Sequence, residues 1–308
     1  MKVLLVGLVK APQVGRLRDE GREDGHIVQG CYPTDLGLRL KGGQVRATLG
    51  GDRPLEDFDI FFLWALARHK HEWYVALEAI KKTKPIVVID GRCLRASPRH
   101  QPTPAWEYRL QVEGGMPFPR SAIISSPRSV DAVASSFEFP VVVKGSQSRQ
   151  GRGVKLARTK KELMEIVREM GQSYPAAVLR EFIPNEGDIR VFTVGYKAIG
   201  AMLRRAPEGE FRNNISQGAT GYPFDLEAHP EVRELAERLS RSMEIEVAGV
   251  DVIIHKETGK AYLLEINPGP EIAGIERYTG LNVAKNLLDY FDARLQEEAK
   301  GYPALALA

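Results

Sequence analysis

Three residues in the C-terminal third have the types and spacing of a hard-cation site. Asp251 interrupts the apolar run Val247-Ala-Gly-Val-Asp-Val-Ile-Ile254, and Glu265 and Asn267 lie in Leu263-Leu-Glu-Ile-Asn267. On an extended strand, residues two apart face the same side, so Glu265 and Asn267 point together and Ile266 points away. If the two strands pair through the turn Glu257-Thr-Gly-Lys260, three oxygen donors converge. Oxygen donors suit hard divalent cations, and Mg²⁺ is commonly held by few carboxylates together with nucleotide phosphates. The plainer alternative is a solvated polar face, but unpaired carboxylates in strands this apolar are costly to bury.

Three further segments carry groups suited to a phosphate-bearing ligand. Lys144 ends the strand-like run Pro140-Val-Val-Val-Lys144, followed by Gly-Ser-Gln-Ser-Arg-Gln-Gly-Arg-Gly153. Glycines 145, 151 and 153 permit close backbone approach, and backbone N–H groups in such a loop can cup phosphate oxygens. No Gly-Lys-Ser/Thr follows, so this is not a P-loop; an ordinary hairpin turn with solvated Arg149 and Arg152 is the plainer alternative. Leu179-Arg-Glu-Phe-Ile-Pro184 then leads into Asp188-Ile-Arg190. Its backbone can serve an adenine edge, Phe182 and Ile183 can wall it, and Asp188 can accept from ribose hydroxyls; alone, the segment reads equally as a linker. Finally, residues 204–219 hold three arginines and two asparagines in a loop-like stretch. Arginine forks match phosphate and carboxylate oxygens, although the composition also suits a surface loop.

The elements that must position these groups follow from periodicity. Val3–Val9, Asp59–Leu63 and Ile86–Ile89 read as strands, and Trp73–Ile80 has helical spacing stopped by Lys84-Pro85, the pattern of an open α/β sheet. Residues 96–105 contain three prolines and read as a linker, followed by a short helix over Trp106–Val112. Strands are expected over Pro140–Lys144, Val154–Ala157 and Ala177–Phe182, with a helix over Lys160–Met170. A hairpin around Gly195 joins Ile189–Val194 to Ala198–Leu203; helices follow over Pro230–Met243 and Leu281–Glu298. The expected units are 1–105, 106–184 and 185–308.

The chain has 308 residues, long enough for two or three packed units. Its apolar fraction of 43% is too high for a disordered chain, and a net charge of +3 with no dense basic tract argues against nucleic acid. No stretch approaches the ~20 apolar residues of a membrane span. Met1–Val9 is short, is followed by Lys10 and lacks a small-residue cleavage site, so it reads as a buried strand rather than a signal peptide. Cys31 and Cys93 match no metal spacing and read as free thiols in a cytoplasmic protein.

Taken together and in order, these segments resemble the ATP-grasp superfamily, and within it the RimK-like α-L-glutamate ligases. The resemblance runs from Phe118 to the last helix. It rests on Arg204-Arg-Ala-Pro-Glu-Gly-Glu-Phe-Arg-Asn-Asn214, Val247-Ala-Gly-Val-Asp251, Glu265-Ile-Asn267 and Gly274-Ile-Glu-Arg-Tyr-Thr-Gly280. It implies an α/β (α+β) ATP-grasp fold with an N-terminal open α/β (pre-ATP-grasp) domain. By the same resemblance, Lys144 contacts nucleotide phosphate, Glu181, Phe182 and Ile183 form the adenine hinge, and Asp188 binds ribose. Arg212 and Asn214 reach the phosphates, and Asp251, Glu265 and Asn267 hold one or two Mg²⁺, with Mn²⁺ as an alternative. Arg205 orients the substrate carboxylate or its acyl phosphate. Two departures stand out. A second nucleotide lysine usual upstream of a segment like Gly115-Met-Pro-Phe-Pro119 is missing, with Arg99 and Arg109 as candidate substitutes. The usual Asn-x-x-Pro-Gly reads Asn267-Pro-Gly-Pro-Glu271.

The implied reaction is an ATP-dependent joining of a carboxylate to an amine through an acyl phosphate. Its partners are ATP, an amino acid (glutamate as the best guess) and a carboxylate acceptor: a small molecule, a coenzyme precursor or a protein C-terminus. A homo-oligomer is left open. Two alternatives are a non-catalytic ATP-binding module and an ATP-grasp ligase with an acceptor that is not an amino acid.

Overall fold

The computed structural model describes residues 1–66, 68–95, 109–110, 112–146, 153–213, 215 and 218–301. The first sheet is parallel, with strand order β2-β1-β6-β7. Its strands are β1 (Lys2–Val6), β2 (Ile27–Cys31), β6 (Ile60–Leu63) and β7 (Val87–Ile89). β1, β6 and β7 are near-continuous apolar runs because both faces are covered, whereas the edge strand β2 carries Gln29 and Gly30. On one face Val3, Leu5 and Phe62 pack on α1 (Pro12–Glu23) and on the helix that closes the chain. On the other, Leu4, Phe61 and Leu63 meet Trp73, Ala76, Leu77 and Ile80 of α2 (Lys70–Lys81). Between β2 and β6 lies a small antiparallel sheet, β3 (Leu36–Lys41), β4 (Gln44–Leu49) and β5 (Arg53–Pro54), that the sequence reading did not find. The proline-rich stretch 96–105 lies outside the described residues, as do residues 106–108 and 111 of the expected short helix.

The second sheet is antiparallel, in the order β10-β9-β11-β8. It comprises β8 (Ser121–Ile124), β9 (Val141–Gly145), β10 (Val154–Ala157) and β11 (Ala177–Glu181). Alternation splits its residues. Val141, Val143, Ala157, Ala177 and Leu179 face a core with α3 (Val130–Ala134) and α4 (Lys160–Met170), whereas Val142, Lys144, Val178 and Arg180 face the opposite way. Thr159 caps α4, its hydroxyl accepting from the Glu162 N–H, and Glu162 reaches back to the Arg158 N–H.

The third sheet, β14-β13-β12-β15-β16, is also antiparallel. It contains β12 (Asp188–Val194), β13 (Lys197–Arg205), β14 (Thr220–Phe224), β15 (Val247–Ile254) and β16 (Ala261–Pro268). The β12–β13 hairpin turns through Gly195 and Tyr196, both at positive φ (58° and 66°), which suits a two-residue hairpin loop. One face packs on α5 (Pro230–Ser242) through Val191, Val250, Leu263 and Leu239. The opposite face is divided. Its Phe192–Met202 end lies under α6 (Ala273–Thr279) and α7 (Val283–Gly301), sharing a core with the first sheet. Its Asp188–Arg204–Asp251–Glu265 end looks toward the second sheet.

The joint between the first and third sheets is polar at its edge. Asp90 follows β7 at φ 56°; its N–H donates to Glu246 Oε1 at 3.2 Å and its Oδ1 accepts the Glu246 N–H at 2.7 Å. Glu246 Oε2 also accepts from the Tyr290 hydroxyl at 2.7 Å and from Arg294 of α7.

Candidate active site

The site is built from the β15–β16 hairpin. Asp251 and Glu265 are register partners, with Gly249 opposite Asn267. A β-bulge sits between them and the turn: Asp251 pairs with Glu265 but Val252 pairs with Leu263, leaving Leu264 without a register partner. The bulge explains an otherwise forbidden pattern. Leu263 and Ile266, three residues apart, both join the core under α5. In a regular strand they would face opposite sides, and Glu265 and Asn267 would share a face with Leu263. The extra residue turns Glu265 and Asn267 to the open face while Leu263 and Ile266 both stay inside.

Four charged side chains interlock on that face. Arg190 Nη2 donates to Asp251 Oδ2 at 2.9 Å and its Nε donates to Oδ1. Arg204 Nε donates to Asp188 Oδ1 at 2.6 Å, and its Nη2 lies 3.0 Å from Asp251 Oδ1. Asp188, Arg204 and Asp251 are all buried, and the arrangement is tolerable because the charges pair two against two. Burial pushes the Asp188 carboxyl up, Arg204 opposes it and Asp251 adds to the rise. Gly249 is required here: a Cβ would stand 2.9 Å from Arg190 Cδ and 3.0 Å from Pro270 Cβ.

Glu265 is approached from the second sheet. Lys144 Nζ donates to its Oε2 at 2.5 Å, and Asn267 Nδ2 donates to its Oε1 at 3.1 Å. Burial acts to raise the Glu265 carboxyl, but the Lys144 charge and hydrogen bond, the Asn267 amide and Arg190 outweigh it and hold it well below the usual carboxylate range. Glu265 thus stands where positive charge is taken up. A cation here would meet hard oxygen donors: a carboxylate with a cationic partner, the Asn267 amide, and Asp251, whose two oxygens are engaged by arginines. Among the described residues there is no group of three or more His, Cys, Asp or Glu side chains suited to a metal. The oxygens of Glu265, Asn267 and Asp251 are donors of the hard kind that Mg²⁺ takes, and Mg²⁺ commonly completes such a sparse protein set with phosphate oxygens and water.

The other expected residues are distributed as follows. The Glu181 N–H donates to the Arg120 carbonyl at 2.9 Å, and its carboxylate accepts the Arg120 N–H at 3.2 Å. Phe182 is half-buried and Ile183 buried in the link to β12. The Ile183 carbonyl accepts from Asn185 Nδ2 at 2.7 Å, and Asn185 Oδ1 accepts the Gly187 N–H at 2.8 Å. Arg212 is joined to Glu210 at 2.7 Å, and its hydrogen bond, opposed by burial and helped by the Arg212 and Phe211 N–H groups, lowers Glu210 to about 2. Arg205 is not brought to this face: it is exposed, 3.5 Å from Glu186 and 5.6 Å over the Tyr222 ring. Arg109 pairs with Glu113. Asn214, Arg99 and residues 147–152 of the glycine-rich loop lie outside the described residues.

Two glycines of that loop have a structural duty at its root. A Cβ on Gly145 would lie 2.4 Å from the Tyr174 ring, and one on Gly153 2.5 Å from the Tyr174 hydroxyl. Arg190 and Arg204, which sequence reasoning did not assign to the site, are central to it. The available signal was parity: Asp188 and Arg190 are two apart on one strand, and Arg204 is the register partner of Asp188.

Residues 107–291 match the family described as RimK-like ATP-grasp domain. Over 292 residues the chain is 31% identical to a "Probable alpha-L-glutamate ligase" of Legionella pneumophila (strain Corby), covering 91% of this chain and 91% of that one. It is 29% identical to a protein of the same name from Parasynechococcus marenigrum (strain WH8102), covering 91% of this chain but 59% of that longer one. Among solved structures it is similar to the ATP-grasp ligase PsnB, complexed with a phosphomimetic variant of its minimal precursor, Mg and ADP (TM-score 0.74, 15% identity, 95% of this chain and 98% of that one). It is also similar to the D-cycloserine synthetase DcsG (TM-score 0.65, 14% identity, 96% and 100%). These last two show a shared ATP-grasp fold. The extent of the family match and of the Legionella alignment decides the kinship: the chain belongs to the RimK-like ATP-grasp family and is an ATP-dependent ligase.

Proposed function

We propose that this chain joins a substrate carboxylate to the amine of an amino acid, glutamate first, through an acyl phosphate made from ATP. The observation that carries the proposal is the meeting of Lys144 and Glu265, a phosphate-suited cation and a metal-suited carboxylate, on facing sheets. Glutamate is favoured because the relatives named above carry it in their names. ATP lies between the second and third sheets, its adenine against Glu181, Phe182 and Ile183. Lys144, Arg212 and Asn214 bind phosphate oxygens. Asp251, Glu265 and Asn267 hold Mg²⁺, which when bound supplies positive charge to the phosphate oxygens as they accept charge.

Lys144, which here donates to Glu265, would turn to the nucleotide phosphates and leave the Glu265 carboxylate to a cation. The substrate carboxylate attacks the γ-phosphorus, forming a carboxyl–phosphate bond as the bond to ADP breaks. The amine then adds to the acyl carbon, phosphate leaves with the electron pair, and the amine loses a proton. Arg190, held side-on by Asp251 through Nε and Nη2, keeps its Nη1 donors for these anions. Positioning the reactants in line lowers the barrier by roughly 7–11 kcal/mol at best. The three-unit division 1–105, 106–184 and 185–308 suits this reading, with the first sheet abutting the Asn267–Pro270 loop through Trp64 against Gly269.

Oxygen-18 in the acceptor carboxylate tests the acyl phosphate. One labelled oxygen should appear in inorganic phosphate per amide formed; unlabelled phosphate would overturn the mechanism.

A further inference from the structure

We infer that Arg180 is a positioning residue for Glu265, acting through the carbonyl of Leu264 in the β16 bulge. The inference rests on the metal-binding role proposed for Glu265. Its starting point is the unpaired residue. Leu264 has no register partner on β15, so its carbonyl is available to a group from outside the ladder. Arg180 Nη1 donates to that carbonyl at 2.6 Å, a charge-assisted bond from the second sheet to the third. Its Nε donates to Ser121 Oγ at 3.3 Å on the neighbouring strand β8, which fixes the guanidinium from behind.

Register places this contact beside the site. Lys144 pairs with Val178 across β9 and β11, and Arg180 pairs with Val142, so Lys144 and Arg180 project from the same face of the second sheet. Lys144 reaches Glu265 and Arg180 reaches the residue immediately before it. Their duties differ. The Lys144 bond engages the carboxylate that the metal needs and must be exchanged for it. The Arg180 bond engages only backbone and can persist with the metal in place. A bulge is the soft point of a strand, and the orientation of Glu265 depends on where the extra residue sits. Arg180 holds the extra residue at Leu264 and so keeps Glu265 aimed at the open face, as groups behind a metal ligand commonly fix its direction.

The test is direct metal binding. Binding of Mn²⁺ to the ADP-saturated protein is followed by the electron paramagnetic resonance of free Mn²⁺ for wild type, Arg180→Met and Arg180→Lys, with ADP affinity measured separately without metal. Arg180→Met should weaken Mn²⁺ about tenfold, leave metal-free ADP affinity within about twofold, and Arg180→Lys should recover most of the loss. A purely structural role would move both affinities together. Wild-type binding of Mn²⁺ with unchanged binding by Arg180→Met overturns the inference alone. Wild-type protein that takes up no Mn²⁺ with ADP overturns the metal site and the inference with it. Should Arg180→Met not fold, Arg180→Gln decides: Mn²⁺ affinity at least about threefold weaker supports the role, and wild-type affinity overturns it.

Discussion

Lys144 on the second sheet and Glu265 on the third are joined across the cleft, Nζ to Oε2 at 2.5 Å. One bond thus couples the group suited to nucleotide phosphate with the group suited to the metal. Each satisfies the other's charge.

The exchange has a two-sided signature. Lys144→Met should weaken ATP binding about tenfold, equivalent to ~1.4 kcal/mol. It should also strengthen binding of Mn²⁺ alone, because Glu265 loses its competing cation. Calorimetry of each ligand separates the effects, and unchanged ATP affinity would remove Lys144 from the nucleotide site.

Asp251 should behave differently from Glu265 despite lying opposite it. Asp251→Ala leaves the buried Arg204 and the half-buried Arg190 without their shared carboxylate. Breaking such a buried arrangement costs about 3–5 kcal/mol. Urea unfolding should show that loss for Asp251→Ala and only a small change for Glu265→Ala, whose partner Lys144 can turn to solvent. Equal stabilities would contradict the interlocked quartet.

Gly145 is predicted to be limited by Tyr174 rather than by backbone conformation. Gly145→Ala should cost roughly 1–3 kcal/mol by overpacking. Adding Tyr174→Ala should recover much of the Gly145→Ala penalty, read as a coupling energy in a double-mutant cycle. Additive losses would mean that the ring is not the obstacle.

The joint at Asp90 gives a pH dependence. Burial, with Glu246 adding and Arg92 opposing, pushes Asp90 up to about 7 from an ordinary value of about 3.9. The folded state then binds the proton more tightly than the unfolded chain. The contribution is full below about pH 4 and is lost as pH rises through about 7. Asp90→Asn removes that titration, and Asn accepts the positive φ. The melting-temperature advantage of wild type over Asp90→Asn should shrink between about pH 5 and about pH 8. A difference that stays flat or widens would contradict the shift.

Much of this was readable from strand periodicity. The buried strands β1, β6 and β7, the β12–β13 hairpin and the β15–β16 hairpin follow from apolar runs and two-residue alternation, whereas the register that sets Asp251 opposite Glu265 depends on the bulge. The bulge was not read, although Leu263 and Ile266 flank Glu265 as two apolar residues of the wrong parity. Parity also separates Arg204 from Arg205: the strand's register with Asp188 turns Arg204 inward and Arg205 outward. The β3–β5 sheet escaped because it offers no continuous apolar run; its signal is alternation, with Leu36, Leu38 and Leu40 set against Arg39 and Lys41, and Val45, Ala47 and Leu49 against Gln44, Arg46 and Thr48. Helix α6, Ala273–Thr279, is too short to show a period and is held by packing of Ile275 on the Phe192–Met202 face.

ADP release with Mg-ATP, measured across a panel of amino acids and carboxylates with mass spectrometry of the products, tests the central claim most directly. The account predicts ADP formed in step with a product one amino-acid residue heavier than its acceptor, glutamate first, and no such product from Glu265→Ala of wild-type fold. ADP formation that continues undiminished in Glu265→Ala, or ATP bound by wild type with no amide formed from any pair, would contradict it.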